Sequence, residues 1–272
     1  MAMKSVNSAL RGATRGLAVC CVVLLSACAG NSTKPESPAV AEAGVLQPDN
    51  SQPQLLPTDG YLPQQKKDAQ GKWLSYDAIK NPYLANKSQV NKGSVLLFIE
   101  AQKAWRDEDY TTVEQKLNVI VNNDKALSGP WVMRARLSLK REQYEKAEEQ
   151  LLKALALNSE NVNAYPLLAQ VQRLQGKFFH AQNTLARALS LWPDFPEAHY
   201  NLALLYDAYL NKEVAAQQHL EAYLFLEKEV EPAVYAWLKD IASRTGVQQS
   251  SVGKQTNPSE FLRQADVLLA NE

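Results

Sequence analysis

A period of 34 residues runs through the middle of this chain and constrains its fold more than any other feature. Alanine recurs at this spacing at Ala101, Ala135, Ala169 and Ala203. Four more columns of related side chains keep the same register: Tyr110, Tyr144 and Phe178; Val113, Ala147, Ala181 and Ala215; Leu117, Leu151 and Leu185; Ile120, Ala154, Ala188 and Ala222. Such a period predicts a repeat protein, in which similar units stack and bury their apolar faces against one another.

The clearest units are "GPWVMRARLSLKREQYEKAEEQLLKALALNS" and "NAYPLLAQVQRLQGKFFHAQNTLARALSLWP". With Trp131 and Tyr165 at an early aromatic position and Pro193 at the end, they resemble the tetratricopeptide repeat (TPR) family. The resemblance covers residues 94–229 as four consecutive repeats. It implies an all-α helical solenoid in which each repeat is a helix–turn–helix unit. The alanine columns agree with this, because a small side chain lets neighbouring helices approach closely.

Two more helices are predicted after the repeats. "VEPAVYAWLKDIASRTG" predicts a capping helix from about Pro232 to Ser243 that Gly246 stops, which completes a solenoid over residues 94–245. Residues 246–272 are then a flexible break followed by a C-terminal amphipathic helix in "NPSEFLRQADVLLANE". This helix either folds back onto the array or awaits a partner. Its apolar face carries Phe261, Leu262, Ala265, Leu268 and Leu269.

Residues 1–27 have the pattern of an export signal. Lys4, Arg11 and Arg15 precede an apolar run, residues 17–25, that is too short for a comfortable membrane span. The next residues, "LSAC", resemble the lipobox of bacterial lipoproteins, which implies cleavage before Cys28 and acylation of Cys28, with palmitate among the acyl groups. Alanine follows the cysteine where an inner-membrane retention signal would have aspartate. The resemblance therefore predicts an outer-membrane lipoprotein that faces the periplasm.

The composition excludes other classes of protein. All three cysteines, Cys20, Cys21 and Cys28, lie in or directly after this segment, so the body is predicted to have no disulfide and no thiol chemistry. Removal of residues 1–27 takes the 29 basic residues to 26 against 29 acidic ones. A nucleic-acid partner is not expected, because such a body lacks the basic excess that neutralises phosphates.

The segment between the signal and the repeats divides into two parts. Residues 28–60 are predicted to be a disordered tether, because they contain no aromatic residue and five prolines interrupt them. Residues 61–93 are predicted to form an irregular N-terminal cap packed on the body, with Trp73, Tyr76 and Tyr83 as apolar anchors. Because this segment is rich in lysine, a contact with anionic lipid or glycan is the alternative interpretation.

No catalytic site, metal site or cofactor is predicted. The histidines are His180, His199 and His219, and no two of them have the spacing of a helical metal site. His199 occupies the early aromatic position and is expected to be a packing residue, while His219 stands where neighbouring repeats have leucine. There is no phosphate-binding loop and no nucleophile elbow.

In TPR proteins the first helix of each repeat lines a concave groove. Transferred by register, the resemblance implies a partner-binding groove made of Phe98, Gln102, Trp105, Arg106, Arg136, Lys140, Gln170, Arg173, Tyr200 and Asp207, with Val132, Leu139, Asn163 and Leu204 around them. Apolar anchors mixed with cations favour a protein or peptide segment of some acidic character. Tyr200 and Asp207 are expected to touch it. Phe98 and Gln102 replace the Lys and Asn of the carboxylate-clamp subgroup, so chaperone C-termini are not expected to bind.

These features predict a non-enzymatic adaptor lipoprotein, held on the membrane by Cys28, that recruits or assembles envelope proteins through its groove. An alternative within the same class is a pilotin-like factor for type IV pilus or secretin assembly. A third, from another class, is an envelope hydrolase acting on cell-wall polymer, for which Asp207 would be the residue to test.

Overall fold

Helices make up almost all of the regular structure. The computed structural model describes residues 53–85, 90–227, 229–247 and 252, all within one unit, Asn50–Glu272. The predicted signal segment, Cys28 and the helix expected after residue 256 lie outside them. The helices are α1 (Pro82–Ala85), α2 (Lys92–Arg106), α3 (Tyr110–Asn123), α4 (Gly129–Lys140), α5 (Tyr144–Leu157), α6 (Ala164–Leu174), α7 (Phe178–Leu191), α8 (Pro196–Ala208), α9 (Glu213–Leu226) and α10 (Pro232–Thr245). None of the described helices is long and apolar enough to span a membrane.

The helices α2 to α9 form four antiparallel pairs that stack in chain order. Most contacts lie within a pair or between consecutive pairs, and α10 packs on α9. Such nearest-neighbour packing is the structure of a solenoid. The predicted all-α TPR-type fold is confirmed.

The turn inside each pair has a repeating geometry. Glu108, Glu142 and Gly176 lie 34 residues apart, and each has a positive φ, between 57° and 75°. The residue after Gly176, Lys177, donates its backbone N–H to the carbonyl of Gln172 at 2.8 Å, which closes the end of the helix. At two of these three positions the residue is a glutamate, and for residues other than glycine this backbone conformation costs about 1–2 kcal/mol. The conformation is required because the turn must direct the second helix back onto the first.

The alanine columns lie where helices cross. Ala101, Ala135 and Ala203 are fully buried, as are the alanines of the second helices such as Ala147 and Ala181. The leucine column Leu117, Leu151 and Leu185 is also fully buried and fills the space between the two helices of a pair. The core therefore follows the array as successive clusters of buried side chains, from the first pair to α10.

A polar contact also repeats between the helices of a pair. In the second pair the Ser138 hydroxyl donates to Gln150 Oε1 at 2.9 Å. In the third pair the Thr184 hydroxyl donates to Gln172 Oε1 at 2.8 Å. Gln172 stands 34 residues after Ser138 and Thr184 stands 34 after Gln150, so donor and acceptor have exchanged helices. All four residues are buried, and the bond satisfies polar groups that would otherwise be costly.

Residues 53–85, called the strap here, pack on the later half of the array. The Leu56 N–H donates to Asn183 Oδ1 at 2.7 Å, and the Asn183 amide donates to the Gln54 carbonyl at 2.9 Å. Further along, Tyr76 OH and the Ile79 N–H both donate to the buried carboxylate of Asp194, at 2.5 and 2.7 Å. The strap therefore spans α7 to α9.

This placement corrects one prediction. The sequence predicts that residues 53–60 belong to a disordered tether, because their composition offers little apolar burial. They belong to the folded body, since side-chain amides of α7 satisfy their backbone groups. Residues 61–85 pack on the body mainly at the third and fourth helix pairs, where Tyr76 meets Phe225 edge-on at 4.9 Å.

Two buried histidines join the strap to the fourth pair. His199 on α8 and His219 on α9 face each other through their Nδ1 atoms at 2.8 Å. His199 Nε2 lies 2.8 Å from the Pro193 carbonyl, and His219 Nε2 lies 2.8 Å from Thr58 Oγ1 in the strap. Both rings are almost completely buried. His199 is therefore a buried residue, as expected from its register, but it also forms a polar network.

The network continues beyond Thr58. Thr58 Oγ1 lies 2.9 Å from Tyr206 OH, which accepts a hydrogen bond from Gln182 Nε2 at 2.9 Å. The same Gln182 nitrogen donates to the Leu56 carbonyl at 2.8 Å. Three helices and the strap thus share one buried chain of hydrogen bonds.

The contacts determine where each proton lies. A carbonyl only accepts, so His199 carries its proton on Nε2 and accepts through Nδ1. His219 must then donate from Nδ1 and accept from the Thr58 hydroxyl at Nε2, and Thr58 in turn accepts from Tyr206 OH. Every donor meets an acceptor only while both histidines are neutral. A second proton on either ring removes the acceptor of one bond.

Acid should therefore weaken the fold. Burial lowers the pKa of His199 to about 4 and the pKa of His219 well below its usual value, whereas both titrate near 6.5 when unfolded. Between the folded and unfolded pKa values the unfolded chain binds more protons than the folded chain. The free energy of unfolding is therefore highest above about pH 7 and decreases as the pH is lowered. Urea unfolding at about pH 7.5 and about pH 5 should show a loss of about 2 kcal/mol from His199 alone.

The double variant His199→Leu with His219→Leu is the control. It should be less stable overall, because Thr58 and the Pro193 carbonyl lose their partners, but its stability should change little over the same pH interval. A wild-type stability that stays constant from about pH 7.5 to about pH 5 would contradict the proton assignment.

Candidate functional site

The first helices of the pairs, α2, α4, α6 and α8, together line a cavity of about 700 Å³, called the groove here. Its size is that of a typical ligand site. It is lined by Tyr83, Phe98, Gln102, Trp105, Arg106, Gly129, Val132, Met133, Arg136, Asn161, Asn163, Pro166, Leu167, Gln170, Phe195, Glu197 and Asn201.

Six of the ten predicted groove residues line this cavity: Phe98, Gln102, Trp105, Arg106, Arg136 and Gln170. Val132 and Asn163 line it with them. Their placement follows from the repeat, because residues 34 apart occupy equivalent positions on successive first helices. Phe98 and Val132 are one such pair, and Arg136 and Gln170 are another.

Two cations and two apolar anchors dominate one end of the groove. Arg106 and Arg136 are exposed, and within the described residues neither has a carboxylate within 4 Å. Trp105 lies beside them and packs edge-on against Tyr110 at 5.4 Å, so its ring is held in place. Phe98 is half-buried. This end can pair a carboxylate with a guanidinium while apolar groups meet the aromatic rings.

The other end is polar and carries the opposite charge. Glu197 and Asn201 from α8 line it, with Asn163 from α6 between the two ends. Side-chain amides can donate to and accept from the backbone of an extended peptide. The groove is therefore electrostatically asymmetric along the array.

The register could have identified several lining residues that were missed. Gly129, Asn163 and Glu197 form one column, and Met133, Leu167 and Asn201 form another. Of these six residues only Asn163 is predicted from the sequence, and the other predicted groove residues belong to the columns that contain Phe98, Gln102, Trp105 and Arg106. Tyr83 comes from the strap and follows from no repeat pattern. Its hydroxyl lies close to Gly129, where an added Cβ would be 3.6 Å away.

Lys140 and Arg173 do not line the groove. The Lys140 ammonium lies 5.9 Å from the ring centre of Tyr110, at the start of α3. Arg173 donates to Tyr209 OH at 3.0 Å, and Tyr209 stacks on Phe178 at 4.5 Å. Both cations lie at the turn end of their helices, where they join neighbouring pairs.

Tyr200 and Asp207, which the sequence places in the groove, do not line it either. Tyr200 packs against Tyr223 at 5.2 Å and against Trp237 of α10 at 5.6 Å. Asp207 accepts from Trp237 Nε1 at 2.7 Å and from Arg244 Nη2 at 2.6 Å. The helix α10 therefore covers the face of α8 that carries Tyr200 and Asp207.

Arg244 joins three carboxylates at this end of the array. Besides Asp207, it contacts Glu213 at 2.5 Å and Asp240 at 3.1 Å. The Arg244 guanidinium donates hydrogen bonds to Asp207 and to Glu213, and these bonds, in that order of importance, raise its pKa. Both oxygens of Asp207 are engaged, one by Trp237 and one by Arg244, which leaves this carboxylate poorly placed for acid–base chemistry.

The described residues contain no group of three metal-ligating side chains close enough to hold an ion. His199 and His219, which are near each other, are enclosed by Pro193 and Thr58 and reach no cavity surface.

The fold and the groove define the class of protein as a TPR-type helical solenoid. Among solved structures the chain is similar to MamA from Desulfovibrio magneticus RS-1, with a TM-score of 0.52 and 16% identity over 68% of this chain and 99% of that chain. A double mutant of MamA RS-1 has a TM-score of 0.52 and 15% identity over 68% of this chain and 100% of that one. At such identities the likeness concerns the fold alone. No protein-family model and no curated protein matches the sequence.

We expect Asp207→Ala to loosen α10. The substitution removes two hydrogen bonds, one of them to a charged group, and should lower the free energy of unfolding by about 2 kcal/mol. Urea unfolding followed by tryptophan fluorescence measures this, because Trp237 loses its acceptor.

Asp240→Ala is the matched control, since it removes a carboxylate from the same Arg244. Asp240 is 65% exposed, and a surface pair of this kind contributes little, so stability should hardly change. If Asp207→Ala left the stability unchanged and instead abolished partner binding, Asp207 would face a partner as the sequence predicted.

Proposed function

We propose that this protein is a non-enzymatic adaptor that binds an extended peptide segment of a partner protein in its groove. The observation that carries the proposal is the pair Arg106 and Arg136, exposed on a cavity of about 700 Å³ and free of carboxylate partners among the described residues. Cations elsewhere in the array, such as Arg141, Lys177 and Arg244, are paired with carboxylates.

The lining fits a peptide better than a compact small molecule. The groove extends across four helices, with amides at Gln102, Asn163 and Gln170 spaced along it. Amides at successive repeats suit the repeating N–H and C=O groups of an extended backbone. Apolar anchors at Phe98 and Trp105 would hold one or two side chains of the segment.

We further propose that the protein acts at the bacterial envelope, as an outer-membrane lipoprotein that faces the periplasm. This rests on the "LSAC" motif after a charged and then apolar segment, and it makes Cys28 the attachment point for acyl chains. The residues that follow Cys28 would separate the groove from the membrane. Recruitment or assembly of another envelope protein is the task that suits an anchored groove.

Reversal of the two groove cations tests the adaptor proposal. A photo-crosslinking residue placed at Gln170 in the full-length protein should capture a partner in cells, and mass spectrometry of the adduct should identify the captured segment. Arg106→Glu with Arg136→Glu should then weaken binding of that segment at least about tenfold, because both charge pairs become repulsive.

Arg187→Glu is the matched control. Arg187 is exposed on α7 and lies outside the groove, so its reversal should leave the affinity unchanged. If the groove double variant captured the same segment with wild-type affinity, the groove proposal would be wrong. A captured pilin or secretin segment would make the adaptor a pilus or secretin assembly factor.

The anchor has its own test. In cells that produce the full-length protein, Cys28→Ser should block both acylation and processing, so the chain should no longer incorporate labelled palmitate and should migrate as a larger species. Substitution of Cys20 and Cys21 is the control and should change neither property. Labelled palmitate on the Cys28→Ser chain would contradict the assignment.

A further inference from the structure

The first helix of the array, α2, has an apolar stripe that the described residues leave open. Val95, Leu96 and Ile99 on its outer face are 42%, 61% and 53% exposed. They lie on the side opposite Ala101, whose side chain is fully buried against the following helices. A stripe of this kind at the end of a solenoid is a surface that a capping element normally covers.

The register shows what this face does elsewhere in the array. The residues equivalent to Leu96 in the next three pairs are Pro130, Ala164 and Ala198, and all three are buried. They are buried because the second helix of the preceding pair packs there, as α3 packs on α4 and α5 packs on α6. Val95 and Ile99 flank this position, in the two columns whose later members line the groove. No described helix precedes α2 at Leu96, so the natural occupant of that position is another helix.

The amphipathic pattern of residues 257–272 matches this face. Its apolar residues recur with helical spacing, as they must to cover a stripe on α2. Its charges are Glu260, Asp266 and Glu272 against a single arginine, a net of about −2. The helix α2 carries Lys92, Lys103 and Arg106 against one glutamate, a net of about +2.

The distribution of charge on α2 favours an acidic occupant. Lys103 stands where the following pairs have Leu137, Val171 and Leu205, all buried. The only acidic residue of α2, Glu100, is already paired with Lys116 at 2.6 Å. A helix that covers Leu96 must therefore place a carboxylate near Lys103, and residues 257–272 supply one.

The chain's own segment begins at the opposite end of the array. Val252 is buried against Leu62 and against Ala222 of α9. Only residues 253–256 separate it from residue 257, and they span at most about 18 Å. The helices α2 and α9 are three pairs apart, which at 8–10 Å between packed helices is roughly 25–30 Å, and the α2 face lies on the side of α2 away from the other pairs. The segment of a second copy therefore has a shorter path to this face than the chain's own.

We propose that residues 257–272 of one copy dock as a helix on the α2 face of a second copy, with their apolar stripe on Val95, Leu96 and Ile99 and their carboxylates near Lys92 and Lys103. The contact is head-to-tail, so copies associate into short chains or a ring. It needs no ligand in the groove and stands whether or not the groove binds a peptide.

Two full-length variants, purified in detergent, test the proposal by complementation. Leu96→Glu with Ile99→Glu removes the acceptor face and keeps the segment. Leu268→Asp with Leu269→Asp removes the apolar face of the segment and keeps α2. Sedimentation velocity should show concentration-dependent association of the wild-type chain, at least about tenfold weaker association of each variant alone, and complexes of one copy of each when the two are mixed.

If something other than residues 257–272 of a second copy covers the α2 face, the same sedimentation measurements give a different result. A wild-type chain that stays monomeric at all concentrations would overturn the proposal, because the face would then belong to a different protein. Association that survives Leu268→Asp with Leu269→Asp would mean that two α2 faces pair with each other. Leu152→Glu is the control, since Leu152 is 52% exposed on α5, and it should associate as the wild-type chain does.

A charge reversal separates docking from misfolding. Lys103 is exposed on α2, so Lys103→Glu should fold normally and weaken association. Addition of Asp266→Lys in the same chain should restore it, because the pair is re-formed with opposite sign. Failure of this rescue, with both single variants folded and weakened, would show that the segment binds elsewhere.

Discussion

The buried chain of hydrogen bonds from the Pro193 carbonyl through His199, His219 and Thr58 to Tyr206 joins the strap to the fourth helix pair. His219 stands in it at a position where the earlier pairs have leucine. Because each ring nitrogen of the two histidines has one partner, the network has a single arrangement of protons and tolerates no charge on either ring. The strap can pack in only one register, since a shift by one residue would remove the Thr58 hydroxyl.

The strap changes what the solenoid can do. A solenoid held only by contacts between neighbouring pairs can flex along its length, because no contact joins distant repeats. Here Asp194 and Asn183 bind the strap at the third pair and its junction with the fourth, and Tyr83 brings its end to the groove near Gly129. The later half of the groove wall is therefore supported from outside the repeats. The cations Arg106 and Arg136 lie in the earlier half, where the described part of the strap contributes Tyr83 to the lining.

Much of the fold and part of the site could be predicted from the sequence. The repeat period predicts the helix pairs and places Phe98, Gln102 and Arg136 on the groove, because equivalent positions in a solenoid have equivalent surroundings. The prediction fails at Tyr200 and Asp207, where equivalence ends. A fifth pair is absent from the described chain, and α10 covers the face that they would present, with Trp237 and Arg244 as their partners.

The sequence by itself determined the local and periodic features: helices of the right length, alanines at the crossings, and cations at groove positions. Each of these depends on spacing along the chain, which a repeat converts directly into position. Only the tertiary structure decided the position of the strap, the partners of His199 and His219, and the packing of α10 on Tyr200 and Asp207. These depend on contacts between residues up to 161 positions apart, as between Thr58 and His219. No periodic signal records such contacts, because each occurs once.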